Sequence, residues 1–222
     1  MTSTNSMVSL ARKIASLLLG LSLGQRGGTQ AATARRLAGD LDANAAAYSA
    51  LGSLFARVRD AFSAAGLAMP SLDDLARVRS EIVATSFVAS RPMALRAAAV
   101  AFCLEQEARV LSATTFASRD QVDALAMRFD AAFTVAEDEA ATAGTMGLYR
   151  ALVGLHAAVT HDLGTRGRPL PRMGGYALSV SVPALTLSNR LYGEAGRADE
   201  LVRENGVFHP LFMPASGRAL SA

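Results

Sequence analysis

The sequence predicts a mainly α protein: a multi-helix array followed by a small βααβ module. Three observations carry that expectation. About a fifth of the 222 residues are alanine, and 51% are hydrophobic while only 6% are aromatic. Apolar residues recur at steps of three and four through most of the first 163 positions, the period of an amphipathic helix. At Gly164 the character changes to a Gly/Pro/Arg stretch followed by strict alternation, the period of a strand. These shifts divide the chain into a helical domain over 1–163, a linker loop over 164–176 and a C-terminal module over 177–222. A wholly disordered chain is excluded, because 18% charged residues among so many apolar ones leave ample surface to bury.

The elements follow in order. The stretch from Met7 to Leu23 places Val8, Leu10, Ile14, Leu17, Leu18 and Leu21 on one broad stripe. It is too short and interrupted to span a membrane. Arg12 and Lys13 before an apolar run resemble a signal peptide, but no small-x-small cleavage site follows closely, so a docked structural helix is the preferred reading. A long helical run is expected from Ala31 to Ala65, with Leu37, Leu41, Ala45, Tyr48, Leu51, Phe55, Val58 and Phe62 on its apolar face. Gly66 and Pro70 end it. Ser71 is a good N-cap for the next helix, with Asp74 three residues on. That helix carries Leu72, Leu75, Val78, Ile82 and Val83, and Pro92 interrupts or kinks it. Further helices are expected over Met93–Ser112, from Ser118 with Val122, Leu125, Phe129, Phe133 and Ala136 inward, and over Gly144–Leu163. In the last of these, Gly144, Gly147 and Gly154 would let another helix approach closely. Beyond the loop, Leu178, Val180 and Val182 alternate as a strand over 177–182. Two short helices follow, Ala184 to Gly193 and Gly196 to Gly206, and then an extended finish.

Chemistry-bearing residues are sparse. Cys103 is the sole cysteine, so there is no internal disulfide and no all-cysteine metal site, and its neighbours Phe102 and Leu104 mark it as a buried small hydrophobe. His156 and His161 stand five apart, on different faces of one helix, where zinc pairs use three or four. His209 precedes Pro210 with no nucleophile or orienting acid beside it. The acidic run Glu137, Asp138, Glu139 closes a helix where the dipole disfavours it, and reads as a solvated end or a contact surface. No phosphate-binding loop, HExxH or GxSxG motif occurs. Catalytic residues, cofactors and metals are therefore all assigned as none. The net charge is +3. Lys13 is the only lysine, and the arginines are dispersed beside acids, with only Arg166, Arg168 and Arg172 approaching a cluster. That distribution argues against a dedicated nucleic-acid binder, whose arginines would form one stripe.

The C-terminal stretch is the most specific part. Pro183, Ala184, Leu185, Leu187, Arg190, Leu191, Tyr192, Gly193, Arg197, Ala198, Asn205, His209, Pro210, Phe212 and Pro214 stand in a pattern that resembles the end of the Mu-type phage tail proteins known as DNA circularisation protein N. The segment from Leu155 to Met173 is similar to the same family's upstream segment, so the resemblance covers about the last 70 residues. Glu194 and Gly196 depart from it mildly, and the helical start departs from the family's β-rich N-terminal domain. The same stretch resembles a LysM-like βααβ fold, in which a Tyr-Gly turn ends the first helix and Asn-Gly the second. Glycan-binding LysM modules carry a Gly-Asp-Thr turn where this chain has Ser181-Val182-Pro183, which argues against peptidoglycan binding.

The resemblance implies a structural component of a phage tail baseplate or hub, resident in the virion and made in the host cytoplasm. Its partners would be other tail proteins (hub, tube initiator, wedge), with a homo-oligomeric ring expected. Leu187, Arg190, Tyr192, Arg197, Asn205, His209 and Phe212 are the candidate partner contacts. The alternatives are a DNA-end-binding protein, which is what the family's name states, and a peptidoglycan-binding module.

Overall fold

The computed structural model describes residues 3–21 and 28–221. Among them the order of elements is α1 (Ser3–Leu19), α2 (Thr29–Ala50), α3 (Leu54–Leu67), α4 (Leu72–Val83), α5 (Ser90–Ala113), α6 (Arg119–Thr142), α7 (Met146–Gly167), β1 (Met173–Ala177), α8 (Ala184–Tyr192), α9 (Ala198–Glu204) and β2 (Ser216–Leu220). The protein is thus mainly helical with one small antiparallel sheet near its C-terminus. It divides into two compact units, residues 1–114 with 128–162 and residues 115–127 with 163–222.

In the first unit, α1 is the organising helix. Its stripe of Met7, Leu10, Ala11, Ile14, Ala15 and Leu18 is buried, and it packs on α2, α3, α4 and α5. Alanines at these contacts let helix axes draw close without a large side chain between them. The lone lysine ties α1 to the end of α4, because Lys13 Nζ donates to the Glu81 carbonyl (2.7 Å) and to the Thr85 hydroxyl (3.1 Å). The tail of the helix expected to reach Leu23 lies partly outside the described residues.

The single run expected over 31–65 is two helices. Gly52 takes the left-handed region (φ 71°), where a side chain would be strained, and the Ser53 N–H returns to the Tyr48 carbonyl at 2.9 Å. The break resets the helical phase, so Leu51 and Phe55 turn outward while Leu41, Ala45, Val58 and Phe62 remain buried. Gly66 does not end α3 as expected. It lies within the last turn, where a Cβ would overlap the Gln106 side chain, and Met69 takes the left-handed position instead (φ 51°). Ser71 does cap α4, its Oγ accepting the Asp74 N–H at 3.0 Å. Pro92 interrupts nothing. It sits in the first turn of α5, where its missing N–H has no helical partner to lose.

Polar braces hold the middle of this unit. Arg79 Nε of α4 donates to Glu107 Oε1 of α5 at 2.8 Å, with both side chains nearly removed from solvent. Arg96 of α5 lies 3.3 Å from Glu139 of α6 and donates to the Thr85 carbonyl at 2.6 Å. Gln106 is fully buried where α5 meets Gly66 of α3, and neither of its amide atoms has a hydrogen-bond partner among the described residues. An unpaired buried amide costs about 1–3 kcal/mol. Gln106→Met, of similar length and without that cost, is therefore expected to raise unfolding stability by about 1–2 kcal/mol. Urea denaturation measures it, and an unchanged or lowered midpoint would contradict the assignment.

The glycines of α7 do not support a close helix approach within the chain. A Cβ at Gly147 or Gly154 would meet nothing within 4 Å, and Gly144 (φ 69°) instead forms the turn after α6.

The second unit contains residues 115–127, the end of α7, and the module β1–α8–α9–β2. The loop expected over 164–176 is shorter, because α7 continues through Gly167 and β1 begins at Met173. A Cβ at Gly167 would press on the Val122 side chain at about 3.0 Å, so glycine relieves a tight contact where the end of α7 meets the start of α6. The Met173 N–H donates to Asp120 (2.6 Å) and the Arg119 N–H to the Pro171 carbonyl (2.9 Å), fixing where the chain enters the strand.

The strand expected over 177–182 lies four residues earlier. β1 pairs antiparallel with β2, Met173 opposite Leu220 and Ala177 opposite Ser216. Two adjacent glycines masked the strand in the sequence, and Gly217 across from Tyr176 leaves room for the phenol ring. Residues 178–182 continue without a ladder, alongside 213–215. There Leu178 N donates to the Ala215 carbonyl (2.6 Å) and Met213 N to the Val182 carbonyl (3.1 Å).

Candidate protein-contact site in the C-terminal module

The module has its own core, made by Tyr176, Val182, Ala184, Leu187, Ala198, Leu201, Met213 and Ala219. Helix α8 ends at Gly193 in the left-handed region (φ 76°), and α9 is followed by Gly206 in the same region (φ 58°), as Tyr-Gly and Asn-Gly stops require. Asn205 then joins α9 to β2. Its Nδ2 donates to the carbonyls of Leu201 and Arg218, and its Oδ1 accepts the Arg218 N–H, each at 2.8 Å. One side chain thus satisfies a helix end and a strand edge together.

The seven candidate contact residues separate by burial. Leu187 is fully buried and belongs to the core, and Asn205 is spent on the internal junction. Tyr192 and Arg197 are half-buried and engage each other: the guanidinium carbon stands 3.8 Å from the ring centroid, and Glu200 holds the same guanidinium at 2.8 Å. Burial pushes the Tyr192 hydroxyl up from its ordinary value, and the Glu200 charge adds to it. These two residues therefore fix the α8–α9 corner. Arg190, His209 and Phe212 are exposed.

The surface beside them was not legible from spacing. Phe208 is fully exposed, and Leu211 (55%) and Phe212 (69%) stand out from the α9–β2 loop. Val180 and Leu185 (61% each) flank them, because the Ala184 N–H donates to the Pro210 carbonyl at 2.7 Å and draws the two loops together. The loop is shaped, with Phe212 N donating to the His209 carbonyl (3.0 Å) and Leu211 N to His209 Nδ1 (3.3 Å). Residues 178–188 and 205–217 contain no Asp, Glu, Lys or Arg. The result is a charge-free apolar end on a small module, a surface a monomer rarely leaves uncovered. Residues so spaced would have signalled it only if the turn at Pro210 had been foreseen.

Elsewhere the candidate chemistry resolves into structure. Cys103 is buried, and burial together with the Glu107 charge pushes its thiol well above the ordinary range, so it stays a neutral thiol. Its Sγ donates to the Leu75 carbonyl at 3.2 Å. His156 is stacked on Phe133 (centroids 4.8 Å, planes 9° apart), with Nδ1 3.1 Å from Glu137 and Nε2 3.3 Å from Asp130. Two of the three acids near the end of α6 are thus internal braces, Glu137 serving His156 and Glu139 serving Arg96, while Asp138 between them is exposed. Among the described residues no cluster of His, Cys, Asp or Glu is placed to hold a metal, and no helix is long and apolar enough to cross a membrane. No protein-family model matches the chain, and no curated protein matches it either.

Proposed function

We propose that this chain is a structural component of a phage tail baseplate or hub, working by protein–protein assembly around the tail tube, with its C-terminal module acting as a LysM-like clamp. The observation that carries this reading is the charge-free apolar end formed by Val180, Leu185, Phe208, Leu211 and Phe212 on a module of βααβ order. Such a face gains most by meeting another apolar surface, since about 25 cal/mol per Å² of apolar area is recovered on burial. The sequence pattern from Pro183 to Pro214 supplies the assignment to tails, and the antiparallel pairing of the first and last strands supports the LysM-like comparison.

The disposition of arginine favours assembly over DNA-end binding. Arg77, Arg79, Arg96, Arg128 and Arg197 each lie against a carboxylate of the same chain, which removes them from a phosphate-binding stripe. Residence in the virion follows from the tail assignment. Mass spectrometry of gradient-purified particles tests it: the chain is expected among the particle proteins, and its absence would overturn the reading.

A further inference from the structure

The first unit carries a surface of the opposite shape. Between α5 and α7 lies a groove of about 240 Å³ lined by Ala101, Phe102, Leu148, Ala151, Leu152 and Leu155. Ala101 on α5 and Ala151 on α7 contribute short side chains to its lining, beside the larger Phe102 and Leu148. Its volume exceeds the ~150 Å³ that holds a benzene ring in an apolar cavity. One charged group stands at the rim, Glu105, which is exposed and has no ionic partner among the described residues.

We infer that the Phe208–Phe212 loop of one copy seats in the α5–α7 groove of a neighbouring copy, joining chains head to tail. This rests on the reading of the module as an assembly contact, and it names the partner as this same chain. Two features of the loop match the groove. Its apolar projections, Phe208, Leu211 and Phe212, are fully or largely exposed, as a groove walled by Phe102, Leu148 and Leu155 requires. Its single polar side chain, His209, uses Nδ1 to accept the Leu211 N–H, so in the neutral ring the proton sits on Nε2, the nitrogen not engaged within the loop. That N–H is the complement of the Glu105 carboxylate. No carboxylate or cation within 178–188 or 205–217 would have to be desolvated for the contact to close. A loop binding to a different site on the next copy is a heterologous contact, which closes into a ring when the rotation per copy divides a full turn.

Sedimentation velocity over a concentration series tests the inference on the whole chain. The wild-type chain is expected to associate beyond the 23.1 kDa of one copy. Phe212→Asp removes the projection and Ala151→Phe fills the groove; both positions are exposed, and circular dichroism checks that both variants fold. Each alone is expected to be monomeric. Mixed, they regain one intact junction and form a heterodimer, the groove of the first receiving the loop of the second. Glu105→Gln is expected to weaken association roughly tenfold, as loss of one charge-assisted hydrogen bond predicts. A monomeric wild-type chain, an Ala151→Phe variant that still associates, or a mixture that stays monomeric would overturn the inference. A chain found in particles yet monomeric when pure would overturn it while leaving the tail assignment intact.

Discussion

Glu107→Ala is expected to lower unfolding stability by about 3–5 kcal/mol, because it leaves the Arg79 guanidinium buried without its anion and opens a void between α4 and α5. Glu107→Gln is expected to cost far less. Burial raises the Glu107 carboxyl above its ordinary value even though the Arg79 hydrogen bond and charge oppose the shift. Taking the negative charge out of water therefore costs more than Arg79 returns, and a neutral amide still accepts from Arg79 Nε. The Glu139 carboxyl is raised for the same first reason, burial, with Arg96 opposing. A raised carboxyl binds its proton more tightly in the folded chain. The stability it contributes is present below about pH 4.5, the ordinary carboxyl value, and is lost as pH rises through the raised one. Denaturation midpoints against pH should thus fall across that interval, and Glu107→Gln should flatten the fall. A midpoint that rises through it would contradict the sign.

Asn205→Asp is expected to unlatch the C-terminal module at a cost of about 2–4 kcal/mol. The change is nearly isosteric, so it removes no packing. It removes both donations from Nδ2 and sets a carboxylate against the carbonyls of Leu201 and Arg218 that had accepted them. A core of eight buried residues has little stability to spare. Amide hydrogen exchange locates the effect: Arg218 N–H, held by Asn205 Oδ1 in the native chain, should lose protection together with the β1–β2 amides. Protection equal to wild type would show that Asn205 is dispensable to the junction.

These two sites also mark what a sequence conveys. The helical period was legible wherever a helix buries a single stripe, as in α1 and α4, and the Ser71 cap was legible because it acts over three residues. The split at Gly52 was hidden, since the stripe continues at the right steps on either side of it. The β1 strand was hidden by its two glycines, while the clean alternation just beyond it belongs to a segment outside the ladder that is hydrogen-bonded to 213–215. Contacts made by distant elements were out of reach altogether. Glu137 and Glu139 read as a free acidic end because His156 and Arg96 reach them from α7 and α5. In the candidate site, Arg190, His209 and Phe212 are exposed as a contact role requires, whereas Leu187 and Asn205 are conspicuous in the sequence because the small fold needs them. Phe208, Leu211, Val180 and Leu185 come from two loops that hydrogen bonds between 178–184 and 210–215 tie together, which no spacing rule anticipates.

Under the proposed assembly role, the chain enters a phage particle through the apolar end of its C-terminal module. Quantitative mass spectrometry of gradient-purified particles, made with either the wild-type chain or a chain carrying Phe208→Asp and Phe212→Asp, tests it most directly. The wild-type chain is predicted in the particles and the doubly substituted chain, folded but without its apolar end, is predicted to be left behind in the lysate. Absence of the wild-type chain from the particles, or equal incorporation of both chains, would contradict it.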